Sequence, residues 1–148
     1  MKPRLVLDTN VILDLLVFQD PAAEVVRMAL DAKLVDAVRT EASMLELIDV
    51  IQRPIFKLSQ QEQEMILQVW ERSTRLLENA AIEPAPFACR DTDDQVFINM
   101  AYSIRPALLL SKDLRVLELC RTAMRYGIEI TQDYERVQDF STPSTESL

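Results

Sequence analysis

A chain of 148 residues, 49% hydrophobic and 27% charged, is long enough to bury a core and reads as one soluble globular domain. With 24 acids against 16 bases the net charge is −8, so a phosphate backbone is approachable only through a divalent cation or a local basic patch. No histidine is present and Gly127 is the single glycine, which excludes Ser-His and Cys-His nucleophiles, histidine zinc sites and glycine-rich phosphate loops.

The first predicted element is a buried strand, Arg4-Leu5-Val6-Leu7, whose three large apolar residues suit a strand covered on both faces. Asp8-Thr9-Asn10 ends it, and Val11, Ile12, Leu15 and Leu16 follow at helical spacing. Pro21 opens a second helix with Val25, Met28 and Ala29 on one face. Val35 to Arg39 reads as a strand, and the helix after Thr40 has Met44, Ile48 and Ile51 as its stripe, stopped by Arg53-Pro54. Ser59 with Glu62 forms a capping box for a long helix, Ser59 to Asn79, carrying Met65, Ile66, Val69, Trp70, Leu76 and Leu77. Trp70 there is expected in the core or on a dimer face.

Ala80 to Glu83 is a candidate short strand, and Pro84 and Pro86 mark a loop. Thr92, boxed with Gln95, caps a helix that turns Phe97, Met100 and Ala101 inward. Ala107 to Leu110 is a buried strand, Asp113 to Tyr126 a helix stopped by Gly127, Ile128 to Ile130 a strand, and Gln132 to Phe140 a last helix. Strands alternating with helices predict an α/β fold with a parallel sheet of about five strands covered on both faces. One domain over 1–140 is expected, with a flexible polar tail over 141–148. No run reaches membrane-span length, a strand begins almost at once, and Cys89 and Cys120 read as free thiols, so the expected location is cytoplasmic.

Carboxylates are what remains for chemistry, and four are candidates. Asp8 and Asp113 follow predicted strands, and Asp94 lies in the first turn of a helix, within Arg90-Asp91-Thr92-Asp93-Asp94. Each alone is explained by helix capping or by the helix dipole. Glu46 lies opposite the stripe of its helix, as a solvated acid would, and Ser43 with Glu46 has capping-box spacing. Jointly, Asp8, Asp94 and Asp113 fall on one edge of the sheet, where ligands of open α/β sheets bind. Carboxylates gathered there must take up protons or a cation, and donors without Cys or His select Mg²⁺ or Mn²⁺.

These residues resemble PIN domains, and among them the branch of toxin components of toxin–antitoxin pairs. The resemblance runs over about residues 4 to 140. It is carried by Leu5-Val6-Leu7-Asp8-Thr9-Asn10-Val11, by Glu46-Leu47-x-x-Val50-Ile51-x-Arg53-Pro54-x-Phe56, by Arg90-Asp91-x-x-Asp94 running into Phe97, and by Leu110-Ser111-x-Asp113. It implies a three-layer α/β/α sandwich and an endoribonuclease whose motif acids, here Asp8, Glu46, Asp94 and Asp113, coordinate Mg²⁺ or Mn²⁺. It lifts Glu46 above the surface reading that its helical phase suggests. Asp91 matches an accessory acid of the family, and Asn10 and Ser111 match polar positions beside the site. Where the family often has Thr-Gly-Asp-x-Asp, this chain has Ser111-Lys112-Asp113-Leu114-Arg115, without the glycine and the last acid.

The favoured expectation is therefore a metal-dependent ribonuclease acting as a toxin, with RNA as substrate, a cognate antitoxin and a homodimeric state. Competing readings are a haloacid-dehalogenase-like phosphotransferase using Asp8, which would want an acid where Asn10 stands; a receiver domain using Lys112; and a catalytically degenerate PIN module that binds a partner. RNA is expected along Arg105 to Arg125, where five bases oppose Asp113 and Glu118 for a local +3, with Lys112 and Arg115 nearest the site. The alternative path follows Arg39, Arg53 and Lys57.

Overall fold

The computed structural model describes residues 2–140, so the expected tail over 141–148 lies outside the described residues. Five parallel strands form one sheet in the order β3-β2-β1-β4-β5. They are β1 (Arg4–Leu7), β2 (Asp36–Arg39), β3 (Arg75–Leu76), β4 (Ala107–Leu110) and β5 (Ile128–Thr131). Helices cover both faces: α1 (Thr9–Leu16), α2 (Glu24–Asp31), α3 (Glu41–Ile51), α4 (Gln60–Ser73), α5 (Gln95–Ser103), α6 (Leu114–Leu117), α7 (Cys120–Met124) and α8 (Arg136–Asp139). The α/β/α class expected from the sequence is the one observed.

The period of two along a strand divides the core. Leu5, Leu7, Leu108 and Leu110 face a cluster with Val11, Ile12, Leu47 and Trp70, while Val6, Ala107 and Leu109 face Phe97, Ile98 and Ala123. Chain order runs outward from β1 to β3 and then returns to β4 on the other side of β1. The point where the order reverses therefore lies between β1 and β4, and a crevice opens there at the carboxyl ends of the strands. Among the described residues no helix is long and apolar enough to cross a membrane, and both cysteines are free.

Several elements differ from the sequence expectation. The long helix ends at Ser73, not Asn79, because Ser73 and Thr74 turn their hydroxyls back onto the carbonyls of Val69 and Trp70 and Thr74 is extended. The Arg39 guanidinium takes the Glu71 and Thr74 carbonyls, satisfying the helix end. Leu76 and Leu77 consequently leave the helix, the edge strand is Arg75–Leu76, and the stretch expected as a strand holds a 3-10 turn, Asn79–Ala81. The helix expected from Asp113 to Tyr126 is broken into α6 and α7, and only Arg136–Asp139 of the last one is α-helical. On α2 the buried residues are Val26, Ala29 and Leu30, and Met28 is exposed. Two expected capping boxes are replaced: Thr40 pairs with Ser43 at the start of α3, and Asp91, not Thr92, caps the 3-10 turn Thr92–Asp94, leaving the Gln95 carboxamide to accept from the Cys89 N–H.

Candidate metal centre

Register brings Asp8 and Ser111 together. Leu7 on β1 is paired with Leu110 on β4, and the Asp8 N–H donates to the Leu110 carbonyl at 3.0 Å. The next residue of each strand therefore emerges at the same edge, and the Ser111 hydroxyl donates to Asp8 Oδ2 at 2.6 Å. The same hydroxyl accepts from the Asp113 N–H at 3.1 Å, so one serine ties the two acids together. Asp8 occupies the cap position of α1 without a well-formed side-chain cap bond, its Oδ2 being held by Ser111 instead.

Asp91, Asp94 and Asp113 form the tightest group, each offering a carboxylate oxygen within 4.8 Å of the others. Unit charges at that distance repel by about 3 kcal/mol per pair at an effective dielectric near 20. Asp94 records the result. It is buried, its Oδ2 has no hydrogen-bond partner, and its pKa is pushed up to about 8. Burial is the main cause, followed by the abutting Asp113 carboxylate and the charges of Asp8, Asp113 and Asp91. Asp8 is raised as well, by burial first and by the Asp113 charge, while the Ser111 hydroxyl and the backbone N–H groups of Thr9 and Asn10 pull it back.

Glu46 joins from α3. It is half-buried, with its pKa raised by burial first and then by the charges of Asp8, Asp93 and Asp91. The Thr9 hydroxyl lies close enough to hold it down, although its geometry falls short of a well-formed hydrogen bond. The buried face of α3 is Ser43, Leu47, Val50 and Ile51, not the Met44-Ile48-Ile51 stripe, and that rotation turns Glu46 toward Asp8 rather than to open solvent. The structure thus gathers Asp8, Glu46, Asp94 and Asp113 at one edge. It also places Asp91, expected only as an accessory acid, inside the tight triad.

The bases expected to meet RNA are occupied. Lys112 Nζ lies 2.5 Å from Asp14 Oδ2, and Arg115 Nη1 lies 2.9 Å from Asp91 Oδ2. On the alternative path, Arg39 is spent on carbonyls and Arg53 pairs with Asp49. Arg121 and Arg125 make no ion pair among the described residues. Asn10 Oδ1 accepts from the Lys112 N–H at 3.3 Å. Sequence reasoning passed over Asp14, although an acid among Val11, Ile12 and Leu15 on the inward face of a helix is a readable signal.

The donor set fits a hard divalent cation. It is built of oxygens, the buried Asp94 Oδ2 lacks any partner, and the nearby Cys89 thiol is kept protonated by burial and donates to the Arg115 carbonyl. The parallel α/β/α sandwich thus sets a group of carboxylates able to hold a cation at the β1–β4 reversal, where ligands of such sheets bind. The sequence profile of the PIN domain matches residues 4–115, more than half of the chain, and the protein belongs to the PIN-domain family. PIN domains are in general metal-dependent nucleases that act on RNA. No curated protein matches the chain.

Proposed function

We propose that the protein is a metal-dependent endoribonuclease and the toxin of a toxin–antitoxin pair, with Asp8, Glu46, Asp94 and Asp113 as its catalytic acids and Asp91 as a further ligand. The observation that carries this reading is Asp94: a buried carboxyl with one oxygen unpartnered, set among acids, in a PIN domain. The Asp91–Asp94–Asp113 triad would hold Mg²⁺ or Mn²⁺, with Asp8 and Glu46 flanking it. The ion, when bound, supplies Lewis acidity and charge neutralisation at the scissile phosphate.

The side chains do the rest. Asp8 and Glu46 face the same edge, where either is placed to accept a proton from an attacking water, and burial first, then the neighbouring acids, raises the pKa of both. Ser111 and Asn10 hold the edge in shape through their hydrogen bonds to Asp8 and to the Lys112 N–H. Arg115, paired with Asp91 beside the site, would be available to a phosphate if Asp91 were engaged by a cation, and the unpaired Arg121 and Arg125 extend the basic surface.

A homodimer belongs to the same reading. A cleft of about 540 Å³ lies between α1, α2 and α4, lined by Leu16, Leu30, Met65, Ile66 and Val69 among others, and none of the clustered acids lines it. Light scattering at micromolar concentration should give twice the monomer mass. A small DNA-binding protein encoded beside this chain, able to silence its activity in a co-expression assay, is the expected antitoxin.

The reading is tested by incubating purified protein with RNA. Cleavage should require Mg²⁺ or Mn²⁺. Asp8→Asn and Asp94→Asn, which keep shape and remove charge, should each lower the rate about a hundredfold or more, since a catalytic ion stabilises the transition state by several kcal/mol. Variants that cut at the wild-type rate would assign the activity elsewhere.

A further inference from the structure

Beside the acid cluster lies a second polar network. Asp14 is 5% exposed on the inward face of α1. Its Oδ2 accepts from Lys112 Nζ at 2.5 Å and from the Tyr134 hydroxyl at 2.6 Å, residues that come from two other parts of the chain. Lys112 sits between Ser111 and Asp113, both part of the candidate centre. Its own N–H donates to Asn10, one turn before Asp14 on α1. The segment Ser111-Lys112-Asp113 is thus tied to α1 by backbone and by side chain at once, and Ser111 ties it to Asp8 as well. It does so without a glycine, where a lysine stands instead.

Burying a carboxylate is unfavourable unless it is paired and hydrogen-bonded, so Asp14 demands a cation and a donor in fixed places. Lys112 meets that demand with its ammonium on Asp14 Oδ2. Drawing it there sets the backbone that aims Asp113. An ammonium committed to a buried carboxylate is also a poor phosphate ligand.

We propose that Asp14 and Tyr134 are positioning residues: acting through Lys112, they fix the Ser111–Asp113 segment so that Asp113 meets the ion, and the network sets ion affinity rather than RNA affinity. This rests on the acid cluster being a cation site, as argued above.

The sign of the effect separates positioning from simple charge. Removing the Lys112 cation should, by charge alone, tighten a neighbouring divalent ion. The pair Asp14→Asn with Lys112→Met leaves net charge unchanged, and so does Tyr134→Phe. Mn²⁺ affinity of the full chain, read by calorimetry, should nevertheless fall about tenfold or more in Lys112→Met and in the double variant, as loss of a ligand-orienting partner does. It should fall less in Tyr134→Phe, and Lys112→Arg should restore most of it. Affinity that is unchanged or tighter in these variants overturns the proposal. Tyr134→Phe removes a single hydroxyl and carries the test if Lys112→Met does not fold. Amide hydrogen exchange at Lys112 and Asp113, measured without metal, should speed up in every variant except Lys112→Arg, and unchanged exchange overturns the proposal. That arm is decisive even if the wild type binds no Mn²⁺, a result that would overturn the cation-site reading instead.

Discussion

Asp94 and Asp14 are almost equally buried, at 7% and 5% exposure, and live in opposite surroundings. Asp14 has a lysine and a tyrosine on one oxygen, while Asp94 has an oxygen with no partner and acids as neighbours. One carboxylate is compensated from within the chain. The other is left for a proton or a cation to complete. Burial by itself therefore says little about function, and the state of the partners distinguishes a structural acid from a site acid.

The largest effect expected from this contrast is on ion-free stability, with opposite signs at the two acids. Asp14→Ala leaves the Lys112 ammonium and the Tyr134 hydroxyl without their acceptor and should destabilise the fold by about 2–3 kcal/mol. That is below the ~3–5 of a fully buried pair, because Lys112 is 43% exposed on its side chain. Asp94→Asn should stabilise the same protein at neutral pH, because a buried carboxyl that must be kept protonated there is replaced by a neutral amide. Denaturant titration reads both, and destabilisation by Asp94→Asn would erase the contrast.

Ion binding should reverse the second sign. Saturating Mn²⁺ at a hundred times its dissociation constant adds about 2.7 kcal/mol to the wild type. That gain should be absent or small in Asp94→Asn and undiminished in variants of the surface pair Arg27 and Glu24. Thermal scans with and without Mn²⁺ measure it.

A pH series sharpens the comparison further. The Asp94 pKa is raised in the folded state, from an ordinary 3.8 to about 8. The folded state therefore holds the proton more tightly than the unfolded one. The resulting stability is full below about 3.8 and is lost as pH rises toward about 8. Ion-free wild type should lose stability across that window relative to Asp94→Asn.

The smallest effect is on RNA. Replacing Arg121 and Arg125 by Ala should flatten the salt dependence of RNA affinity by about 0.7 per lost phosphate contact. Lys112→Met should leave that slope unchanged, because its ammonium is held by Asp14.

Much of the fold was legible because its strands are near-continuous apolar runs. Leu5-Val6-Leu7 and Leu108-Leu109-Leu110 are buried on both faces, which a strand of a covered parallel sheet must be. The end of α4 was not legible from periodicity, since Leu76 and Leu77 continue the helical phase by chance. The decisive signals were the Ser73 and Thr74 back-bonds and a guanidinium from β2. Asp8, Asp94 and Asp113 could be read as one group because strand ends and helix starts share an edge. Glu46 could not, because its helix is rotated so that Leu47 and Val50 are buried and the flank carrying Glu46 comes toward Asp8. For that residue the resemblance to PIN domains supplied what helical phase did not. Asp14 was written in the sequence as an acid on an apolar face, but its meaning depends on Lys112 and Tyr134, which lie far along the chain.

The central claim is that the acid cluster takes up a divalent cation in place of the proton on Asp94. Calorimetric titration of the ion-free protein with Mn²⁺ at pH 7, in two buffers of different ionisation enthalpy, measures affinity and proton release together. The account predicts saturable binding by the wild type with release of a proton, and marked weakening with little proton release in Asp94→Asn. Binding of equal strength in the two proteins, or binding by the wild type without proton release, would contradict it.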